Sequence, residues 1–225
     1  MSKIWASGKD EVSFNSRLHE ICFKTNLDYD NLLMPFDIEA LIAHGEMLGE
    51  CKLIDMKDSQ TIVKHLKDML QESKDGSLVM TPEWEDCHSL IEYVLIERAG
   101  EAGKRLYMAR SRNDQVVSAT RLYGRQKIET LTSQLIKFMS TLLEFSEHFE
   151  FSPMPGYTHT QRAMPASVGM WASSFLEILL NQKATIDAAF ELNDVNVLGS
   201  AAGFGTGFDI DRDLVTKKLG LGRTQ

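Results

Sequence analysis

The chain has 225 residues, 43% of them hydrophobic and 25% charged, with a formal net charge of −8. This is the balance of an ordinary globular protein of one large or two small domains, long enough to bury a sizeable core. The excess of acid, 32 Asp and Glu against 24 Lys and Arg, argues against nucleic acid as a partner. Cys22, Cys51 and Cys87 are odd in number and form no CxxC pair, so they read as free thiols in a reducing compartment rather than a disulfide framework. No run of about 18 apolar residues is present and residues 1–5 lack a signal core, so no membrane association and a cytoplasmic location are expected.

Leu outnumbers Val and Ile combined and no stretch alternates strictly between apolar and polar residues, which points to helices throughout. A first helix is predicted over 13–24, with Phe14, Leu18, Ile21 and Cys22 on one stripe. A second follows Pro35 and carries Ile38, Leu41, Ile42 and Leu48. A third starts after Asp58 or Ser59, both good N-caps, and aligns Ile62, Leu66, Met69 and Leu70. Asp75-Gly76-Ser77 reads as a turn. A fourth helix begins near Thr81-Pro82-Glu83, with Thr81 as cap and Pro82 in the first helical position, and stops at Gly100. Its apolar face is Cys87, Leu90, Ile91, Val94 and Leu95.

From Asn113 to Glu150 there is no proline and a single glycine, Gly124, so a fifth helix of unusual length is predicted. A loop at 151–156 ends it. Pro165 then opens a sixth helix through Val168, Trp171, Phe175, Leu176, Leu179 and Leu180 to about Leu192. Two long helices joined by a tight loop pack antiparallel, as in a bundle. The expected division is a small N-terminal helical domain over 1–108 and the first part of a long-helix bundle over 109–225.

Residues 109–115, ARSRNDQ, form the densest polar run. Capping of the long helix accounts for Ser, Asn and Asp there; the free N–H groups and two arginines equally suit an anion. Residues 155–161, PGYTHTQ, place His159 among hydrogen-bonding side chains, as a general acid/base or simply a solvated loop histidine. Glu85, Asp86 and His88 stand at the start of the fourth helix, where carboxylates also complement the helix dipole. No histidine pair has metal-site spacing, so no metal is expected. The glycine-rich run 199–207 lacks both the GxGxxG order and a GKS/T ending, and reads as a flexible loop or close-packing crossover. At 1.5 Å per residue a helix of roughly 35 residues spans about 50 Å, so the 109–115 and 155–161 runs cannot meet within one chain. A homo-oligomer with sites at subunit junctions resolves this.

These runs resemble argininosuccinate lyases, members of the aspartase/fumarase superfamily. Residues 109–115 match the family's ARSRNDQ motif and residues 155–161 its PGYTHxQ motif. Phe36-Asp37-Ile38 with Ala43-His44, Glu85-Asp86-Cys87-His88, and Leu198-Gly199-Ser200 before Asp211-Arg212 extend the likeness over nearly the whole chain. The resemblance implies an all-α fold, a small helical domain followed by part of the long central bundle. It implies a homotetramer at full length, with active sites drawing on three subunits and no cofactor. The implied reaction is β-elimination of argininosuccinate, a small anionic substrate, to arginine and fumarate in arginine biosynthesis. The implied roles are His159 as catalytic acid/base or orienting residue, Ser111, Arg112 and Asn113 holding substrate carboxylate and amide-like groups, Thr158 at the fumarate portion, and Asp86 and Gln161 in substrate binding.

The chain departs from the family pattern at several positions. Asn26 stands where the family has a substrate-contacting serine, Trp5-Ala6-Ser7-Gly8-Lys9 where it has WGGRF, Tyr107-Met108 where it has His-Thr, Thr160 for leucine and Met164 for glutamine. The family's serine-rich MPxKxNP loop has no counterpart before the last residues, Gly222-Arg223-Thr224-Gln225, so the chain alone is expected to be inactive. Two alternatives stand beside this: a lyase acting on another succinyl-amine, and a non-catalytic helical homologue with a structural or regulatory role.

Overall fold

The computed structural model describes residues 16–82 and 84–225, with side chains from residue 27 onward. The side chains of Cys22 and Asn26 and the 5–9 run therefore lie outside the described residues. The fold is all-α. Its helices are α1 (Ser16–Glu50), α2 (Met56–Asp75), α3 (Cys87–Ala99), α4 (Glu101–Arg105), α5 (Arg112–His148), α6 (Val168–Asn193) and α7 (Arg212–Lys218). Strands β1 (Pro153–Thr158) and β2 (Gln161–Ser167) pair antiparallel, and the two-residue strands β3 (Val195–Asn196) and β4 (Arg223–Thr224) pair parallel. The chain divides into two compact units, one running to Tyr123 and including Asp194–Gln225, the other Gly124–Asn193.

In the first unit α1 packs along α2. Met34, Ile38, Leu41, Met47 and Leu48 of α1 meet Ile62, Leu66 and Met69 of α2, with Ile91 and Leu95 of α3 and Leu106 closing the core. The close approach is set by small residues. A Cβ on Gly49 would lie 2.6 Å from Ser59, and the Ser59 hydroxyl donates to the Gly45 carbonyl at 2.8 Å. The predicted break at Pro35 does not occur: α1 continues through it. Proline removes one helical N–H and crowds the preceding turn, a cost of about 3 kcal/mol. The apolar stripe buried on both sides of Pro35 offsets it, because burying each large aliphatic side chain contributes about 1.5–3 kcal/mol.

Helix α2 starts at Met56, before the predicted cap. Asp58 instead sits in its first turn and Ser59 is buried. Gly76 ends α2 in the left-handed conformation (φ 82°), and the Ser77 amide donates to Asp75 Oδ1 at 3.0 Å, forming the expected turn. Helix α3 begins at Cys87 rather than near Thr81, because Asp86 is the residue that caps it: Asp86 Oδ1 accepts from the Ser89 amide at 2.8 Å. Thr81 closes a separate turn onto the Trp84 amide. Gly100 stops α3 as expected. The run 199–207 is a loop, with left-handed backbone at Gly199, Ala201, Gly203 and Gly205; at Gly199 a Cβ would lie 2.6 Å from Ile210.

In the second unit the C-terminal part of α5 pairs antiparallel with α6. Gly124 faces Asn193 at one end, and Gly169 lies against the Ser146 and Glu150 backbone at the other. The connection is not the simple loop predicted from sequence, and Pro165 does not open α6. Pro155 and Pro165 face each other across a β-hairpin, and α6 begins at Val168. His159 and Thr160 form the hairpin turn with positive φ (50° and 63°), the handedness that two-residue hairpins require. Beyond Gly169 and Ala172, α6 buries little within this unit: Trp171, Phe175, Ile178 and Leu180 are exposed, as are Leu131, Ile136, Phe138 and Leu143 of α5. Among the described residues no helix is long and apolar enough to cross a membrane.

The α5–α6 crossing generates a stability prediction. A Cβ on Gly169 would stand 2.3 Å from the Ser146 carbonyl oxygen, whereas one on Gly207 meets nothing within 4 Å. Gly169→Ala is expected to lower the unfolding free energy by about 1–3 kcal/mol, and Gly207→Ala by less than about 0.5 kcal/mol, in parallel urea titrations.

Candidate active site

The site grows from one buried carboxylate. Asp37 sits on the apolar stripe of α1 between Met34 and Leu41 and is fully buried. His88 of α3 donates to its Oδ2 from Nδ1 at 2.7 Å, and Gln115 of α5 donates from Nε2 to both oxygens at 2.8 Å. Burial alone lowers the His88 pKa, but the charge and hydrogen bond of Asp37 outweigh it, and the net shift is upward. Asp37, Cys87 and His88 also bring three ligand-type atoms within 4.8 Å of one another, a grouping that residue spacing did not reveal. The Asp37 oxygens are committed to His88 and Gln115, and burial drives the Cys87 thiol far above its usual range, so it stays protonated. This set is a hydrogen-bonded core.

A second layer lies outside the first. Asp86, capping α3 through Oδ1, accepts Arg112 Nη1 on Oδ2 at 2.8 Å, and Arg112 Nη2 reaches Ser89 Oγ at 3.3 Å. Asp114, in the first turn of α5, accepts the Ser111 amide at 2.9 Å on one oxygen and the Gly199 and Ala201 amides at 3.0 and 2.8 Å on the other. It thereby anchors the glycine-rich loop to the 109–115 run. Arg212 holds the same loop through the Leu198 carbonyl at 2.9 Å. His44 binds the Met108 carbonyl through Nε2 at 2.9 Å, and burial brings its pKa down to about 4.

Between these layers is a pocket of about 110 Å³ lined by His88, Glu92, Tyr107, Arg110, Ser111, Arg112 and Gln115. Arg110 lies 4.3 Å over the Tyr107 ring and donates to Gln115 Oε1. Two guanidinium groups and a histidine with a raised pKa make the pocket a place for an anion.

Of the residues singled out from sequence, Asp86, Ser111 and Arg112 come together here, with the exposed Asn113 beside them, its amide donating to Ser111 Oγ at 3.3 Å. Thr158, His159 and Gln161 are exposed at the hairpin end of the second unit, where the Thr160 hydroxyl donates to the His159 carbonyl at 2.6 Å. The Asn26 side chain is outside the described residues. The sequence pattern marks Arg110 as an anion-binding candidate but not the joining of Asp37 to His88 and Gln115. For Asp37 the signal was present: an acid placed three and four residues from Met34 and Leu41 on an apolar helical stripe must be buried and partnered.

Residues 2–225 match the lyase family, and the chain belongs to it. It is 40% identical over 192 residues to the argininosuccinate lyase of Sorangium cellulosum, covering 85% of this chain and 45% of that protein. It is 30% identical over 223 residues to that of Thermotoga neapolitana (99% and 55%) and 37% over 219 residues to that of Caldanaerobacter subterraneus (97% and 48%). The chain thus spans about half the length of these relatives. A solved EDDS lyase variant with bound fumarate has the same fold, at a TM-score of 0.77 and 22% identity, over 95% of this chain and 42% of that one. So does a fumarate lyase:delta crystallin from Brucella melitensis, at 0.71 and 16%, over 92% and 49%.

Two buried histidines, His44 and His88, give stability a pH optimum. The His88 contribution is complete below the ordinary imidazole pKa of 6.5 and is lost as pH rises through its higher folded value. The His44 contribution has the opposite sign. It is intact above 6.5 and declines as pH falls toward about 4, by up to about 1.4 kcal/mol per unit. Melting temperatures recorded from pH 4 to 9 are expected to peak near neutrality, with His44→Gln flattening the acid side and His88→Gln the alkaline side.

Proposed function

We propose that this chain is part of an argininosuccinate lyase that eliminates fumarate from argininosuccinate in arginine biosynthesis. The observation that carries the reading is the pocket at Ser111, where Arg110, Arg112 and His88 converge in a chain that is 40% identical over 192 residues to an argininosuccinate lyase. In the reaction a base removes the proton from the carbon beside a carboxylate, and the electron pair forms the double bond of fumarate. The carbon–nitrogen bond breaks, and the departing guanidino nitrogen takes a proton and leaves as arginine. An aci-carboxylate develops in between, and fixed positive charge stabilises it most.

Arg112 and Ser111, with Asn113, are proposed to hold the substrate carboxylate and amide-like groups, with Asp86 fixing the Arg112 guanidinium at 2.8 Å. Asn26 is proposed to join them in substrate binding. Thr158 is proposed to contact the fumarate portion, Gln161 to take part in substrate binding, and His159 to move or orient a proton, on a hairpin turn that presents it to solvent. The division into a head domain over 1–108 and a bundle over 109–225 belongs to the same reading, as does a cytoplasmic homotetramer whose subunits cover the apolar faces of α5 and α6. Neither metal nor cofactor takes part. The chain by itself is proposed to be silent, for want of the serine-rich loop. A second reading, a lyase on a different succinyl-amine, is favoured by Tyr107, which stands in the pocket wall.

The complete reading frame is expected to complement an arginine auxotroph and to release fumarate from argininosuccinate, followed by ultraviolet absorbance. The 225-residue chain is expected to release none. Arg112→Ala in the complete protein is expected to lower kcat/KM by about 10²–10³-fold. Turnover of adenylosuccinate but not argininosuccinate would establish the second reading instead.

A further inference from the structure

The pocket beside Ser111 holds hydrogen-bonding capacity that the chain leaves unused. Arg110 Nε and Nη2 and the Tyr107 hydroxyl are buried, and among the described residues none of the three has a partner. The other positive groups of the pocket are engaged, Arg112 with Asp86 at 2.8 Å and His88 with Asp37 at 2.7 Å. Arg110 gives Nη1 to a neutral amide and has no carboxylate within 4.0 Å among the described residues. A buried guanidinium without a direct ion-pair partner is costly: desolvation draws the pKa of this one down, although Asp37, Asp114 and Glu92 oppose the shift.

The unused atoms have a geometry that selects their acceptor. Nε–H and the adjacent Nη2–H lie along one edge of the planar guanidinium and form a fork that matches the two oxygens of a carboxylate. The Tyr107 hydroxyl, on the ring beneath that guanidinium, is a third donor. The cavity of about 110 Å³ is the size of roughly four waters, room for a carboxylate group and a carbon or two.

We propose that Arg110 and Tyr107 form a carboxylate-binding subsite, in which one carboxylate arm of the substrate enters the pocket behind Ser111 and is held edge-on by Arg110 Nε and Nη2, with the Tyr107 hydroxyl completing its shell. The proposal rests on the reading of this pocket as the substrate site and adds the pair of residues that recognise the acid. Arg112 then serves the outer face of the substrate and Arg110 the inner one. Tyr107, where the related lyases usually carry histidine, tunes the fit to the acid.

The test is binding of acetate, fumarate and, at matched ionic strength, chloride to the 225-residue chain. The readouts are the Arg110 Nε–Hε and Ser111 amide resonances. Acetate and fumarate are expected to shift both saturably, and chloride to shift neither. Arg110→Lys keeps the charge and loses the fork, and is expected to weaken acetate binding, read at Ser111, at least tenfold. Tyr107→Phe, which keeps the ring packing, is expected to weaken it about three- to tenfold. Equal responses to acetate and chloride, or unchanged acetate binding in both variants, overturn the subsite. If acetate fails to bind while the complete protein still turns over argininosuccinate, the subsite falls and the lyase reading stands. If acetate binds at Arg110 and the complete protein does not turn over argininosuccinate, the subsite stands and the lyase reading falls.

Discussion

A carboxylate with no solvent exposure holds the first unit's polar interior in register. Asp37 belongs to α1, its imidazole partner His88 to α3 and its amide partner Gln115 to α5. An isolated buried carboxylate costs several kcal/mol, so any arrangement of these helices that separates the three side chains is penalised. The cost is avoided only where the beginnings of α3 and α5 are both brought to the middle of α1. That is where Asp86, Ser111, Arg112 and the pocket stand. The site is therefore a by-product of satisfying one charge in the core.

The same economy runs outward. Asp86 caps α3 with one oxygen and orients Arg112 with the other. Asp114 accepts the Ser111 amide at the start of α5 with one oxygen and the glycine-rich loop with the other. Each acid closes a helix end and fixes a second element, so the local structure and the site are held by the same hydrogen bonds. The second unit shows the reverse economy: α5 and α6 meet through small residues such as Gly169 and Ala172 and leave large apolar side chains outward. Exposed apolar surface of this extent marks an interaction face, and it accords with the proposed assembly of subunits.

Much of this was legible in the residues. The long unbroken stretch after Asn113 gave α5 to within a few residues, and Gly76 and Gly100 marked the ends of α2 and α3. The misreadings have physical causes. Proline weakens an isolated helix and so reads as a boundary, but α1 runs through Pro35 with Met34 and Ile38 buried on either side of it. Thr81 lost the capping role to Asp86, whose carboxylate also finds Arg112. The hairpin was hidden because its strands carry prolines and its turn uses left-handed residues that are not glycine, His159 and Thr160. Asp86, Ser111 and Arg112 were read from motif likeness, and the structure brings them together. The Asp37 network and the unpartnered edge of Arg110 depend on residues far apart in the chain, and no local pattern reveals which of them meet.

The dependence on Asp37 is measurable at its partner. Titrating the His88 ring by NMR in the wild-type chain and in Asp37→Asn separates the charge of Asp37 from the burial they share. His88 should titrate above the ordinary imidazole range in the wild type and markedly lower in Asp37→Asn, where only the Asp86 charge still opposes burial. A His88 pKa that is the same in both proteins, or below the ordinary range in the wild type, would contradict a site organised around that carboxylate.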